Sequence, residues 1–244
     1  MYVQQAMMIC SNKIHFTLCT LPFFGASETH RNLAPIICIA TLGRRFIGVC
    51  KAINLLLRGP IADAKTIHSL GTLPETADEL RSIAKTLGAD EQSIYLRDQA
   101  TESKVKDISL SNAKVLAFST HGLLAGELKG LSEPGLVFTP PTKGTDKDDG
   151  YLTASEVTQL NLNADWVILS ACNTAAPDGT PGAEGLSGLA KAFFYAGSRS
   201  LLVSHWPVLS DAAKALTTKM FTLAKDKTIG KAEALKQSML AYMN

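Results

Sequence analysis

The chain has 244 residues, 46% of them apolar and 19% charged, with a net charge of +2. That balance supports a core and excludes disorder, collagen and coiled coil, and the near-zero charge speaks against a dedicated nucleic-acid binder. No apolar run approaches the roughly 18 residues of a membrane span.

Charge and cysteine are unevenly spread. Residues 1–60 carry six basic side chains (Lys13, Arg31, Arg44, Arg45, Lys51, Arg58) against Glu28, a local +5, which leaves −3 for the remainder. Cys10, Cys19, Cys38 and Cys50 all lie in that stretch, and Cys172 stands alone. An odd count without a C-x-x-C pair supports neither a disulfide scaffold nor a cysteine zinc site, so a reducing, cytoplasmic setting is the simpler expectation. Residues 14–27 are apolar enough to imitate a signal-peptide core, yet Lys13 is late for a charged leader, which makes export the weaker alternative. Residues 1–60 read as an atypical N-terminal arm, truncated, altered or poorly ordered, with buried-strand candidates at 33–42 and 46–49. Residues 61–244 read as one domain.

From Leu73 onward the pattern is regular. A helix is predicted over 74–87, with Leu80, Ile83, Ala84 and Leu87 on one face and Gly88 closing it. A short strand at 93–97 and a short helix at 101–108 follow. Residues 114–120 hold the run Val115-Leu-Ala-Phe118, which suits a strand buried on both faces. A small strand at 135–139 leads into a surface loop over 140–150. Thr153-Ala-Ser-Glu156 is a capping box. Residues 165–171 form a second buried strand, 173–182 a flexible loop, and 184–196 a helix closed by Gly197. Residues 199–204 form a third buried strand. Ser210 caps a helix carrying Leu216, Met220 and Leu223, and a last helix at 231–243 carries Leu235, Met239 and Leu240. Strands alternating with helices predict an α/β fold, a mostly parallel sheet with helices on both faces.

Ligands of such sheets bind beyond the carboxyl ends of the strands. His121-Gly122 follows the first buried strand, Cys172 the second, and His205-Trp206-Pro207 the third. Parallel strands would bring an imidazole and a thiol to one rim. The thiolate is the reactive form of cysteine, and a nearby imidazole can take its proton and later return it to a leaving amine. Gly122 and Ala171 leave room for a substrate backbone, and the N–H groups of Gly122 and Cys172 could bind an oxyanion.

The motifs Ser119-Thr-His-Gly122 and Ser170-Ala-Cys-Asn-Thr174 resemble the His-Gly and Ala-Cys signatures of caspase-like cysteine peptidases. His121 and Cys172 lie 51 residues apart, near the spacing of about 50 in caspases. Leu73-Pro-Glu-Thr, Asp149-Gly-Tyr-Leu-Thr-Ala-Ser-Glu156, Glu184-Gly-Leu-Ser-Gly-Leu-Ala-Lys-Ala-Phe193, Ala196-Gly197 and Ser204-His-Trp-Pro-Val208 resemble blocks of the bacterial CHAT domain, a relative of separase and caspases. The resemblance spans residues 73–242. It implies a caspase–haemoglobinase-like fold and a cysteine endopeptidase with a Cys-His dyad, His121 and Cys172. It also implies a protein or peptide substrate, no cofactor and no metal. A regulatory protein partner is implied as well, because the family's domain often follows tetratricopeptide repeats. Neither nucleic acid nor membrane is expected as a partner. Gly122 matches the oxyanion-binding glycine, and Trp206 matches a tryptophan near the cleft.

The chain departs from the family in carrying no upstream repeats and no strand ending near Gly-Asp-Pro. His205 is the rival base; a cleft-lining role suits it better, because the family more often has an apolar residue there. Asp178, Glu184 and Asp211 are acidic candidates for a pocket that takes a basic side chain. His15, His30 and His68 belong to no constellation. A Cys172-His121-His205 metal site lacks a fourth ligand at a recognisable spacing. The glycines at 182, 185 and 188 do not spell G-x-G-x-x-G and fit helix-start packing better than a phosphate cradle. The acidic run 146–149 reads as a solvated loop. The alternative function is a catalytically idle module that keeps the peptidase fold for binding or signalling.

Overall fold

A computed structural model describes residues 6–10, 37–41, 61–71, 73–127, 131–171, 188–204, 210–226 and 228–243. Strands β1 (Ala6–Cys10), β2 (Ile37–Thr41), β3 (Ile94–Leu96), β4 (Val115–Ser119), β8 (Trp166–Ser170) and β9 (Ser200–Ser204) form one six-stranded sheet in the order β2-β9-β8-β4-β1-β3. β4 pairs in parallel with β8, and β8 with β9. β1 lies antiparallel to both β4 and β3, and β2 antiparallel to β9. Four of the six strands, β3, β4, β8 and β9, therefore run one way, so the sheet is mostly parallel as expected. Two of its strands come from the first sixty residues. β2 falls within the predicted strand 33–42; β1 was not foreseen. The candidate at 46–49 lies outside the described residues.

Side-chain alternation divides the sheet's two faces. Val115 and Ala117 of β4, with Trp166 and Ile168 of β8, pack against three helices: α2 (Thr76–Leu87), α6 (Ser210–Leu223) and α7 (Lys231–Met243). Leu80, Ile83, Met220, Phe221 and Leu235 line that layer. Leu116 and Phe118, with Val167 and Leu169, face the opposite layer. There Leu189 and Phe193 of α5 (Gly188–Ala196) meet Val105 of α3 (Glu102–Asp107) and Val157 of α4 (Ala154–Val157). All five residues of β4 are buried, which explains its near-continuous apolar run.

The local signals operate as physical devices. Gly88 ends α2 at φ +67°, and the N–H of Ala89 reaches the carbonyl of Ala84 at 2.9 Å, a left-handed helix cap. Thr153 accepts from the N–H of Glu156, whose carboxylate accepts the N–H of Thr153 at 3.0 Å. Gly197 has φ +112°, and a Cβ there would lie 2.3 Å from the carbonyl oxygen of Leu162, so only glycine fits. Not every apolar residue of the last helix faces the core. Leu240 is 49% exposed. At about 100° per residue it lies about 140° around α7 from Leu235, off the buried stripe. Ser210, the predicted cap, is the first residue of α6 itself, and the first turn of the helix predicted at 184–196 lies outside the described residues.

A smaller antiparallel sheet, β5 (Gly122–Leu123), β6 (Gly135–Val137) and β7 (Tyr151–Thr153), continues from the end of β4. Helix α1 (Ala64–His68) packs on it through Ile67, which is buried with Ala62, Leu131, Val137 and Tyr151. Among the described residues no helix is long and apolar enough to cross a membrane.

Candidate active site

His121 stands directly beyond the carboxyl end of β4. Its backbone is clamped by the small sheet: its carbonyl accepts the N–H of Val137 at 2.9 Å. The buried Thr120 hydroxyl donates to the carbonyl of Val137. In the β5–β6 register Gly122 lies opposite Leu136. His121 and Val137 are then the hydrogen-bonded pair, and Gly122, one residue on, turns its N–H away from β6.

Among the described residues the half-buried imidazole has one hydrogen-bond partner. Its Nε2 lies 2.7 Å from the carbonyl oxygen of Gly71. A carbonyl can only accept, so Nε2 carries the hydrogen, and in the neutral ring Nδ1 holds the lone pair. Gly71 is brought there by the segment running from α1 to α2. Ile67 fixes one end in the small apolar cluster, and the N–H of Ala62 donates to Asp149 at 2.7 Å.

β8 lies beside β4 in parallel, and Ser119 pairs with Ser170. The two strands that lead in sequence to His121 and to Cys172 thus end side by side on the same rim. β9, which leads to His205 and Trp206, is the next parallel neighbour. Cys172, Asp178, Glu184, His205 and Trp206 lie outside the described residues. Asp211 is exposed in the first turn of α6. His68 is exposed on α1, whereas His15 and His30 lie outside the described residues. Among the described residues no group of three histidines, cysteines or carboxylates is placed to hold a metal.

One rim residue was not foreseen. Glu79 of α2 is 2% exposed, and its Oε2 accepts the hydroxyls of Ser119 at 2.6 Å and Ser170 at 2.9 Å. Thr217 of α6 lies 3.4 Å from Oε1, although its hydroxyl is better directed at the carbonyl of Ala213, 2.7 Å away. Burial pushes the Glu79 carboxyl above its ordinary range, and the serine hydroxyls pull it part-way back. The sequence carried a signal for it: with Thr76, Leu80 and Ile83, Glu79 occupies the stripe that α2 buries.

A second buried glutamate sits on α3. Glu102 of α3 is 1% exposed and accepts the N–H groups of Asp149 at 2.8 Å and Gly150 at 2.9 Å, together with the Lys106 ammonium. Lys106 also pairs with Glu156 at 2.8 Å. Burial raises the Glu102 carboxyl to about 7 against the pull of Lys106. Burial alone would lower Lys106, but the two carboxylates outweigh it and hold the ammonium charged.

The model of the CHAT domain family matches residues 34–244. The chain belongs to the CHAT domain family. This family is related to the caspase-like peptidases. Among curated proteins, this CHAT domain is similar to "Tetratricopeptide repeat protein 28" of Mus musculus, at 25% identity over 207 residues, covering 70% of this chain and 8% of that protein. The CHAT chain thus spans less than a tenth of the length of the curated relative it matches. No solved structure matches it.

Proposed function

We propose that this CHAT domain is a cysteine endopeptidase of caspase–haemoglobinase type that cleaves a protein or peptide substrate through a Cys172–His121 dyad. The observation that carries the reading is the parallel, in-register pairing of β4 with β8, Ser119 opposite Ser170, each two residues before one member of the pair. The hydrogen bond from His121 Nε2 to Gly71 supports it, because it leaves Nδ1 as the proton acceptor.

In this mechanism His121 takes the proton of Cys172, and the thiolate attacks the scissile carbonyl. The N–H of Gly122, turned away from β6, and that of Cys172 stabilise the oxyanion. The imidazolium then protonates the leaving amine, and water activated by the same imidazole hydrolyses the thioester. Trp206 and His205, which follow β9 in the chain, are the candidates for lining the cleft, and Asp178, Glu184 and Asp211 are the acidic candidates for receiving a basic substrate side chain. No cofactor or metal enters any step. A regulatory protein partner fits the tetratricopeptide-repeat name of the mouse relative.

A fluorogenic peptide library screened with wild type, Cys172→Ala and His121→Ala tests the reading. Turnover should fall at least about 10³-fold in Cys172→Ala and about 10²- to 10⁴-fold in His121→Ala. A folded wild-type protein that cleaves no member of the library, and whose Cys172 reacts as an ordinary thiol, would leave the idle binding module as the better account.

A further inference from the structure

Two features of the rim remain unused by this mechanism: the carboxyl of Glu79 and the serines that precede both motifs. A carboxyl at a helix position otherwise filled by apolar residues is costly to bury without a cation. Among the described residues no ion pair to Glu79 is formed, and its short contacts are hydroxyls. Ser119 and Ser170 sit opposite each other on adjacent parallel strands and on the face covered by α2. Both hydroxyls converge on one oxygen, Oε2. The backbone leading into α2, the helix that carries Glu79, also carries Gly71, whose carbonyl holds the His121 ring. The helix therefore grips the ends of β4 and β8, and the segment before it holds the imidazole.

We propose that Glu79 is a positioning residue: its Oε2 ties the ends of β4 and β8 to α2, fixing His121 against the segment that continues to Cys172. The proposal rests on the dyad reading. Its physical force lies in the steepness of reactivity with geometry, since a misplacement of about 1 Å can cost about 10²-fold in rate. Hydroxyl donors suit this task. They bind the carboxyl in either protonation state, so the node does not depend on a charge in the core. Burial, which lifts the carboxyl above its usual range, agrees with a node of that kind.

The test is the pH profile of Cys172 alkylation by iodoacetamide, read by mass spectrometry of the Cys172 peptide and normalised to folded protein. In wild type, Cys172 should react at lower pH than the other cysteines, and His121→Ala should abolish the difference. Glu79→Met keeps the volume and removes the node. It should lower the Cys172 rate at pH 6 about 10-fold and kcat for peptide cleavage about 10²-fold, with KM little changed. Glu79→Gln keeps an accepting oxygen and should recover the rate to within about 3-fold. A merely structural glutamate would change the amount of folded protein but not the profile of each folded molecule. A wild-type profile in folded Glu79→Met overturns the proposal and leaves the dyad standing, as does a Glu79→Gln variant no better than Glu79→Met. If Glu79→Met does not fold, Ser170→Ala breaks the β8 arm of the node. It should slow Cys172 at pH 6 several-fold, and an unchanged rate overturns the proposal. An ordinary wild-type profile, indifferent to His121→Ala, sinks the dyad and this proposal together.

Discussion

Glu79 and Glu102 are both buried to within 2% of full coverage, yet they are satisfied in opposite ways. Glu102 is met by an ammonium and two backbone N–H groups, and it anchors the turn at Asp149-Gly150. That turn then holds the N–H of Ala62 through Asp149, at the start of the segment that ends on His121. Glu79 is met by hydroxyls and touches the ends of the two strands at the candidate site itself. An ion pair with backbone donors locks a loop but leaves neighbours stranded when one member is removed. A hydroxyl node holds position without needing a charge, and its loss strands hydroxyl donors at about 1–3 kcal/mol each. The contrast separates a residue that holds the architecture from one that tunes the rim.

Three experiments test that contrast. The largest effect is expected from Glu102→Ala, which takes the acceptor from the N–H groups of Asp149 and Gly150 and leaves Lys106 with one carboxylate, Glu156, and the Lys147 carbonyl. It should lose about 3–5 kcal/mol in urea denaturation at pH 8, above the range in which the Glu102 carboxyl titrates. A loss below about 1 kcal/mol would remove the anchor from the account.

The second effect lies in the pH dependence of stability. The folded Glu102 carboxyl is raised from an ordinary 4.5 to about 7. Between those values the folded protein binds more protons than the unfolded chain, so this group's contribution to stability falls as pH rises through the window. Glu102→Gln should flatten the wild-type profile by on the order of 2 kcal/mol across that range. A profile of unchanged slope would mean that Lys106 keeps the carboxyl ionised throughout. Glu79 is shifted in the same direction, so the double variant with Glu79→Gln should be flatter still.

The smallest stability change belongs to Glu79→Gln alone, below about 1 kcal/mol, because an amide oxygen can still accept both serine hydroxyls. A loss as large as that of Glu102→Ala would erase the distinction between the two sites.

Much of this arrangement was legible in the sequence. The runs at β4, β8 and β9 announced buried parallel strands, and the capping box at Thr153 was correctly read. The rule that ligands meet the carboxyl ends of such strands pointed to the rim where His121 stands. β1 was illegible, because five residues, Ala6-Met-Met-Ile-Cys10, become a strand only by fitting between β3 and β4. The Gly71 carbonyl on His121 comes from 50 residues away, and backbone groups leave no mark on composition. Glu79 was visible as a charge on an apolar stripe. Its meaning was not, because its hydroxyl partners lie 40, 91 and 138 residues away in the chain.

The central claim is that an imidazole at the end of β4 activates the thiol that follows β8. The most direct test follows the alkylation rate of Cys172 between pH 5 and 9 in wild type and His121→Ala, with Cys10, Cys19, Cys38 and Cys50 as internal references. The account predicts a wild-type Cys172 that reacts well below the free-thiol range of about 8.5 and returns to it when His121 is removed. Coincident curves near 8.5 in both proteins would contradict it.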